Sequence, residues 1–157
     1  LGVVFVVIMM MFVVLFRSLY LAVIGMIPNL LAASVVLGTM GWMKVPLDIM
    51  TITVAAISVG MAVDNTIHYI HRFKLEFRKT SNYEVSMKNS HNTIGRAMFY
   101  TSTTIIIGFL VLVTSNFNPT VYFGLFVSLA MFMALMGALT LLPQLLMILK
   151  PLGKEES

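Results

Sequence analysis

From Thr120 to Leu149 the chain runs without one charged residue. As a helix that stretch is about 45 Å long, more than the ~30 Å of a bilayer's hydrocarbon core. Such a run leaves few folds open. In lipid no water can bond the peptide groups, and a helix satisfies them within the segment. Four other apolar runs precede it, at about 1–16, 19–40, 49–70 and 98–114. The expected fold is therefore an all-α membrane protein of five transmembrane helices. The first run reaches only about 24 Å and is expected to have lost its beginning. The second contains Pro28 and Asn29, which neighbouring helices tolerate in a membrane. Trp42 stands in the turn after it, where interfacial aromatics settle. Asn118-Pro119 reads as the start of the last helix, and Pro143 as a bend in its final turns.

Composition excludes the soluble alternative. Charged residues make up 10% of the chain and hydrophobic ones 59%, with a mean hydropathy of +0.98; soluble domains carry about 25% charged residues. The 14 methionines read as flexible packing rather than metal ligands. With no cysteine there is neither a disulfide nor a thiolate metal site.

Between the third and fourth spans lies a polar connector, about 71–97. Ser81 and Glu84 in "TSNYE" have capping-box spacing and predict a short helix from about Asn82. Tyr83, Met87, Ile94 and Met98 fall on one face of it, as in a helix lying along the membrane surface. Arg17, the connector's Arg72, Lys74, Arg78, Lys79, Lys88 and Arg96, and Lys150 and Lys154 all fall on one side of the membrane. Only Lys44 falls on the other. The positive-inside rule makes the basic side cytoplasmic and puts the chain start outside. This topology, rather than nucleic acid, accounts for the net charge of +4. Residues 1–150 then form the bundle and 151–157 a cytoplasmic tail.

One segment breaks the apolar rule. "ISVGMAVDNTIHYIHRF", residues 57–73, places Asp64, Asn65, His68 and His71 in or beside the third span. A carboxylate at mid-membrane costs roughly 3 kcal/mol, so intramembrane acids mark ion and substrate pathways. Gly60, Asp64, His68 and His71 share one helix face, and Gly60 leaves room there for a neighbouring helix. Burial would raise the Asp64 pKa toward neutrality and let it load and release protons. A structural acid held by an ion pair is the alternative. Asn65 points about 100° away, either as part of the site or as a packing amide. His68 reads as a relay toward the cytoplasm or as an interfacial residue. His71 and His91 read as surface. In the fourth span Thr101, Thr103 and Thr104 are candidate relay partners facing Asp64, or hydroxyls bonded within the helices. Arg96 is a candidate counter-charge, with the headgroup region as its default place. No phosphate loop, zinc spacing or G-x-S-x-G nucleophile motif occurs, so no cofactor, metal or hydrolase chemistry is expected.

"GMAVDNTIHYIHRF" at 60–73, "AMFYTSTTIIIGFLVL" at 97–112 and "FGLFVSLAMFMALMGALTLLPQLL" at 123–146 give the chain its likeness to a family. It resembles the resistance-nodulation-division (RND) superfamily of proton-driven exporters. The branch it looks most like holds the mycobacterial large membrane proteins (MMPL), hopanoid exporters and sterol-sensing relatives. The resemblance implies that residues 1–157 are five helices that follow a large extracytoplasmic domain, in the second half of a twelve-helix transporter. It implies Asp64 as proton carrier and a hydrophobic or lipid-like substrate. The expected partners are protons, membrane lipids, the N-terminal half and the extracytoplasmic domain, in a bacterial or archaeal cytoplasmic membrane. Many relatives follow the acid with a second Asp or a Tyr, whereas Asn65 stands here. An amide carries no second proton, which leaves the stoichiometry open. The rival reading is a non-transporting, sterol-sensing-like module that binds lipid or assembles.

Overall fold

The computed structural model describes residues 2–46 and 48–153. Leu1, Leu47, and the tail from Lys154 to Ser157 lie outside the described residues. Every regular element described is helical: α1 (Gly2–Phe16), α2 (Leu19–Trp42), α3 (Ile49–Thr80), α4 (Tyr83–Ser90), α5 (Arg96–Val111), α6 (Asn118–Met136) and α7 (Leu142–Leu149). π turns at His91–Gly95 and Gly137–Leu141 join α4 to α5 and α6 to α7. Four long apolar helices therefore have the length and composition of membrane spans: Leu19–Trp42, Ile49–Thr80, Tyr83–Thr114 and Asn118–Leu149. Gly2–Phe16 is a shorter apolar helix.

The centre of the bundle is α2, α3 and α6, each packed on the other two; α1 lies against α2, and α5 against α6. Glycines set the closest approaches. A methyl on Gly25 would meet Thr66 and Ile70 of α3 at 3.1 Å and Phe12 of α1 at 3.2 Å. One on Gly124 would stand 2.5 Å from the Phe109 carbonyl oxygen and 2.8 Å from Leu112 Cβ. Small residues of this kind let membrane helices gain packing energy that lipid cannot supply. Beside Gly25, the buried Asn29 donates its Nδ2 to the Gly25 carbonyl at 2.8 Å. Asn29 thus bonds back onto its own helix, on the carbonyl four residues earlier.

The helix ends are capped by local chemistry. Asp48 accepts from Thr51 N at 2.9 Å while Thr51 Oγ1 accepts from Asp48 N at 2.8 Å, a reciprocal box that starts α3. Lys74 Nζ donates to the Phe16 carbonyl at 3.0 Å, which fixes the end of α1 beside the basic end of α3. Tyr83 Oη accepts from Leu152 N at 2.9 Å and donates to the Gly153 carbonyl at 3.0 Å, clamping the chain after α7.

The connector differs most from the sequence expectation. Residues 71–80 are not a polar link: α3 continues to Thr80, because Phe73 and Phe77 extend the buried stripe begun by Tyr69 and Ile70. The buried Glu76 is held by Arg72 Nη2 at 2.9 Å, with Asn89 Nδ2 donating to it at 3.3 Å. Ser81 does not cap α4; it ends α3 at φ 50°, and Asn82 is the cap, accepting from Val85 N at 3.1 Å. The stripe of α4 is covered by protein rather than laid on a membrane surface. Tyr83 and Met98 are buried, and Met87 and Ile94 pack on the same core. The last long helix starts one residue earlier than expected, with Phe117 as its cap and Pro119 in its first turn.

Candidate functional site

α3 shows two faces. Val59, Ala62, Val63, Thr66 and Ile70 are buried within the bundle. The opposite face carries Thr53, Ala56, Gly60, Asp64, His68 and His71, all exposed. These positions recur at the three- and four-residue steps that bring side chains onto one stripe. Asp64 lies about 22 Å along the helix from Ile49, near the middle of α3.

Asp64 Oδ1 and His68 Nε2 are 3.3 Å apart, and His68 is the one side-chain partner of Asp64 among the described residues. The Asp64 side chain is 68% exposed, so this chain alone does not enclose it as the sequence suggested. Among the described residues no helix lies over this face, because α2 and α6 take the other one. For the same reason Gly60 meets no neighbour: a methyl there would find nothing within 4 Å. The tight helix contacts fall instead at Gly25, Gly124 and Gly137.

The other candidates are not gathered at the acid. Asn65 is buried, with its Nδ2 unpartnered among the described residues, and thus sits on the far side of the stripe that carries Asp64. The threonines ride on α5, which packs against α6, and α6 is the helix that packs against α3. Thr101 Oγ1 bonds the Ala97 carbonyl at 2.9 Å and Thr104 Oγ1 bonds the Tyr100 carbonyl at 2.9 Å. Thr103 is half-buried, and between them Ser102 is fully buried with an unpartnered hydroxyl. Hydroxyls in a helix readily turn back on the carbonyl four residues earlier, and these two do so here. Arg96 is exposed on α5 and is no counter-charge to Asp64 here.

One functional candidate was not legible. His91, read from the sequence as surface, is the hub of a polar junction. Its Nε2 lies 2.9 Å from the Leu139 carbonyl, and its Nδ1 lies 2.9 Å from Tyr69 Oη and 3.2 Å from the Met87 carbonyl. Tyr69 crosses the imidazole edge-on, with ring centroids 5.5 Å apart. The only local hint was Pro143. A proline offers no N–H to the carbonyl four residues back, which is Leu139.

Among known proteins, the model of the MMPL family matches residues 1–155. A Methanocaldococcus jannaschii protein named as a membrane protein, MJ1562, is 28% identical over 141 residues. Those residues are 90% of this chain and 36% of that protein. The hopanoid transporter HpnN of Burkholderia multivorans is 23% identical over 111 residues, 71% of this chain and 13% of that transporter. The chain thus spans about a third of the first relative and about an eighth of the second. No solved structure matches the chain. With a match over almost its whole length, this multi-pass membrane chain belongs to the MMPL family, within the RND-type membrane proteins.

Proposed function

We propose that the chain is membrane machinery of a proton-driven exporter of hydrophobic or lipid-like molecules, with Asp64 as its proton carrier. One observation supports this most: an acid and an imidazole in contact at 3.3 Å, halfway along a membrane helix, on a face that no helix among the described residues covers. Lipid is a costly neighbour for that face. The small residues Ala56 and Gly60 beside the acid suit a further transmembrane element, and the relatives, of which the chain spans about a third and about an eighth, have ample length for one. Once covered, Asp64 would be neutral when loaded and charged when emptied. The two forms then favour different packings against the covering helices, which is how a proton does mechanical work.

His68 extends the path by one turn toward the basic end of α3. A proton leaving Asp64 can pass to Nε2 and be held between the two groups as a carboxylate–imidazolium pair. In this reading the basic end is cytoplasmic, the chain start is outside, and protons run inward through the cytoplasmic membrane. The membrane potential adds about 2.3 kcal/mol per charge for each 100 mV. The likeness to a hopanoid transporter supports a lipid-like cargo.

Export by the full-length protein, reconstituted with an imposed proton gradient, tests the reading. Asp64→Asn is expected to abolish gradient-dependent export while the protein stays folded. Export that ignores both the mutation and the gradient would instead support a lipid-binding module that does not transport.

A further inference from the structure

We propose that His91 is a second proton-binding site, separate from the Asp64 face, and that its proton decides whether α3 is fastened to the last long helix. The geometry fixes the roles of the ring nitrogens. Nε2 faces a carbonyl, Leu139 O, at 2.9 Å, so Nε2 carries a hydrogen and donates it. Pro143, four residues after Leu139, has no N–H to give that carbonyl. Nδ1 has two partners of opposite character. Tyr69 Oη, 2.9 Å away, can donate to it, whereas the Met87 carbonyl, 3.2 Å away, can only accept.

The imidazole therefore has a hydrogen-bond set ready for each of its states. Neutral, Nδ1 accepts from the Tyr69 hydroxyl, and His91 bridges α3 to the π turn at Gly137–Leu141. With a proton added, Nδ1 becomes a donor, toward Met87 O within the same turn of helix or toward Tyr69 Oη, and in either case the Tyr69 O–H loses the lone pair it used. Tyr69 is fully buried and has no other hydrogen-bond partner among the described residues. A buried phenol stripped of its acceptor is costly, so the addition of one proton pushes α3 away from the junction. The proton has a route in: His91 lines an open cleft of about 470 Å³ between α4 and the last helix.

The surrounding charges leave His91 as the responsive group. Glu84 and Lys88, on its own side of the cleft, are opposite in sign. The last helix presents only neutral groups there: Leu139, Thr140, Pro143 and Gln144. α3 presents Tyr69, and its next charges toward the basic end, Arg72 and Glu76, pair with each other.

Spin labels in the full-length protein in nanodiscs test this, placed at Arg78→Cys on α3 and Ile148→Cys on α7. Both positions are exposed, and residues 1–157 contain no cysteine to interfere. Between about pH 8 and about pH 5.5, across the imidazole range, the label separation is expected to grow by about 2 Å. His91→Gln, which can donate to Leu139 and accept from Tyr69 but cannot take a proton, should hold the short separation at both pH values. Tyr69→Phe, which has no hydroxyl to be stripped of its acceptor, should likewise hold the short separation at both. An Asp64→Asn background should leave the shift intact, so this inference stands or falls apart from the proton-carrier reading. A full shift in His91→Gln, a full shift in Tyr69→Phe, or no shift in the unmodified protein would each overturn it. The two variants report independently, so one suffices if the other fails to fold.

Discussion

The Leu139 carbonyl lends itself to a double-mutant cycle. In the unmodified protein it takes a hydrogen from His91 Nε2 at 2.9 Å, because Pro143 withholds the backbone donor. His91→Ala removes that bond and the one from Tyr69, leaving a carbonyl and a buried phenol unpaired. Hydrogen bonds between membrane helices average about 0.6 kcal/mol and reach about 1.7, so the expected loss is about 2 kcal/mol for the two. Pro143→Ala restores an N–H four residues after Leu139. In that background the carbonyl keeps a donor when His91 is removed, and His91→Ala should cost only about 1 kcal/mol. The coupling of about 1 kcal/mol exceeds the few tenths expected of independent sites. Reversible SDS-driven unfolding of the full-length protein in mixed micelles measures all four corners of the cycle. Costs that add within about 0.3 kcal/mol would refute the idea that proline exposes this carbonyl and histidine fills it.

Two further outcomes follow from the helix contacts and ends. Gly124→Ala should destabilise the fold by about 1–3 kcal/mol, since its methyl would sit 2.5 Å from the Phe109 carbonyl oxygen, while Gly60→Ala, with nothing within 4 Å, should leave the stability of this helix set unchanged; the same unfolding assay separates them. Ser81→Gly should stabilise the α3–α4 junction by up to about 1 kcal/mol, because Ser81 holds φ 50°, where a side chain is strained and glycine is not; a fall or no change in the unfolding midpoint would count against this.

The number and order of the apolar helices were legible, because hydrophobic length is a property of the chain itself. The basic residues also set an expected orientation, which depends only on where they fall between spans. The continuation of α3 to Thr80 was there to be read in Ile70, Phe73 and Phe77, but the charges between them disguised it. Arg72, Lys74, Arg78 and Lys79 occupy other faces of the same turns, and the buried Glu76 is tied to Arg72 once the helix forms. The family likeness was also legible, because its motifs are contiguous in the chain.

What the sequence could not decide was which helix lies against which. The threonines of α5 are held against α6, which packs on the face of α3 away from Asp64, so they do not reach the acid. Gly60 and Gly124 look alike as letters, and only packing shows that one meets a carbonyl and the other meets nothing. His91 is the clearest case, since its Nε2 acceptor lies 48 residues away and is free because of a proline further on. By itself the sequence determined that this chain crosses a membrane as helices and carries an acid where lipid belongs, since transfer from water to lipid is set residue by residue. The tertiary structure decided which polar groups meet, because a hydrogen bond depends on distances that only the packed helices define.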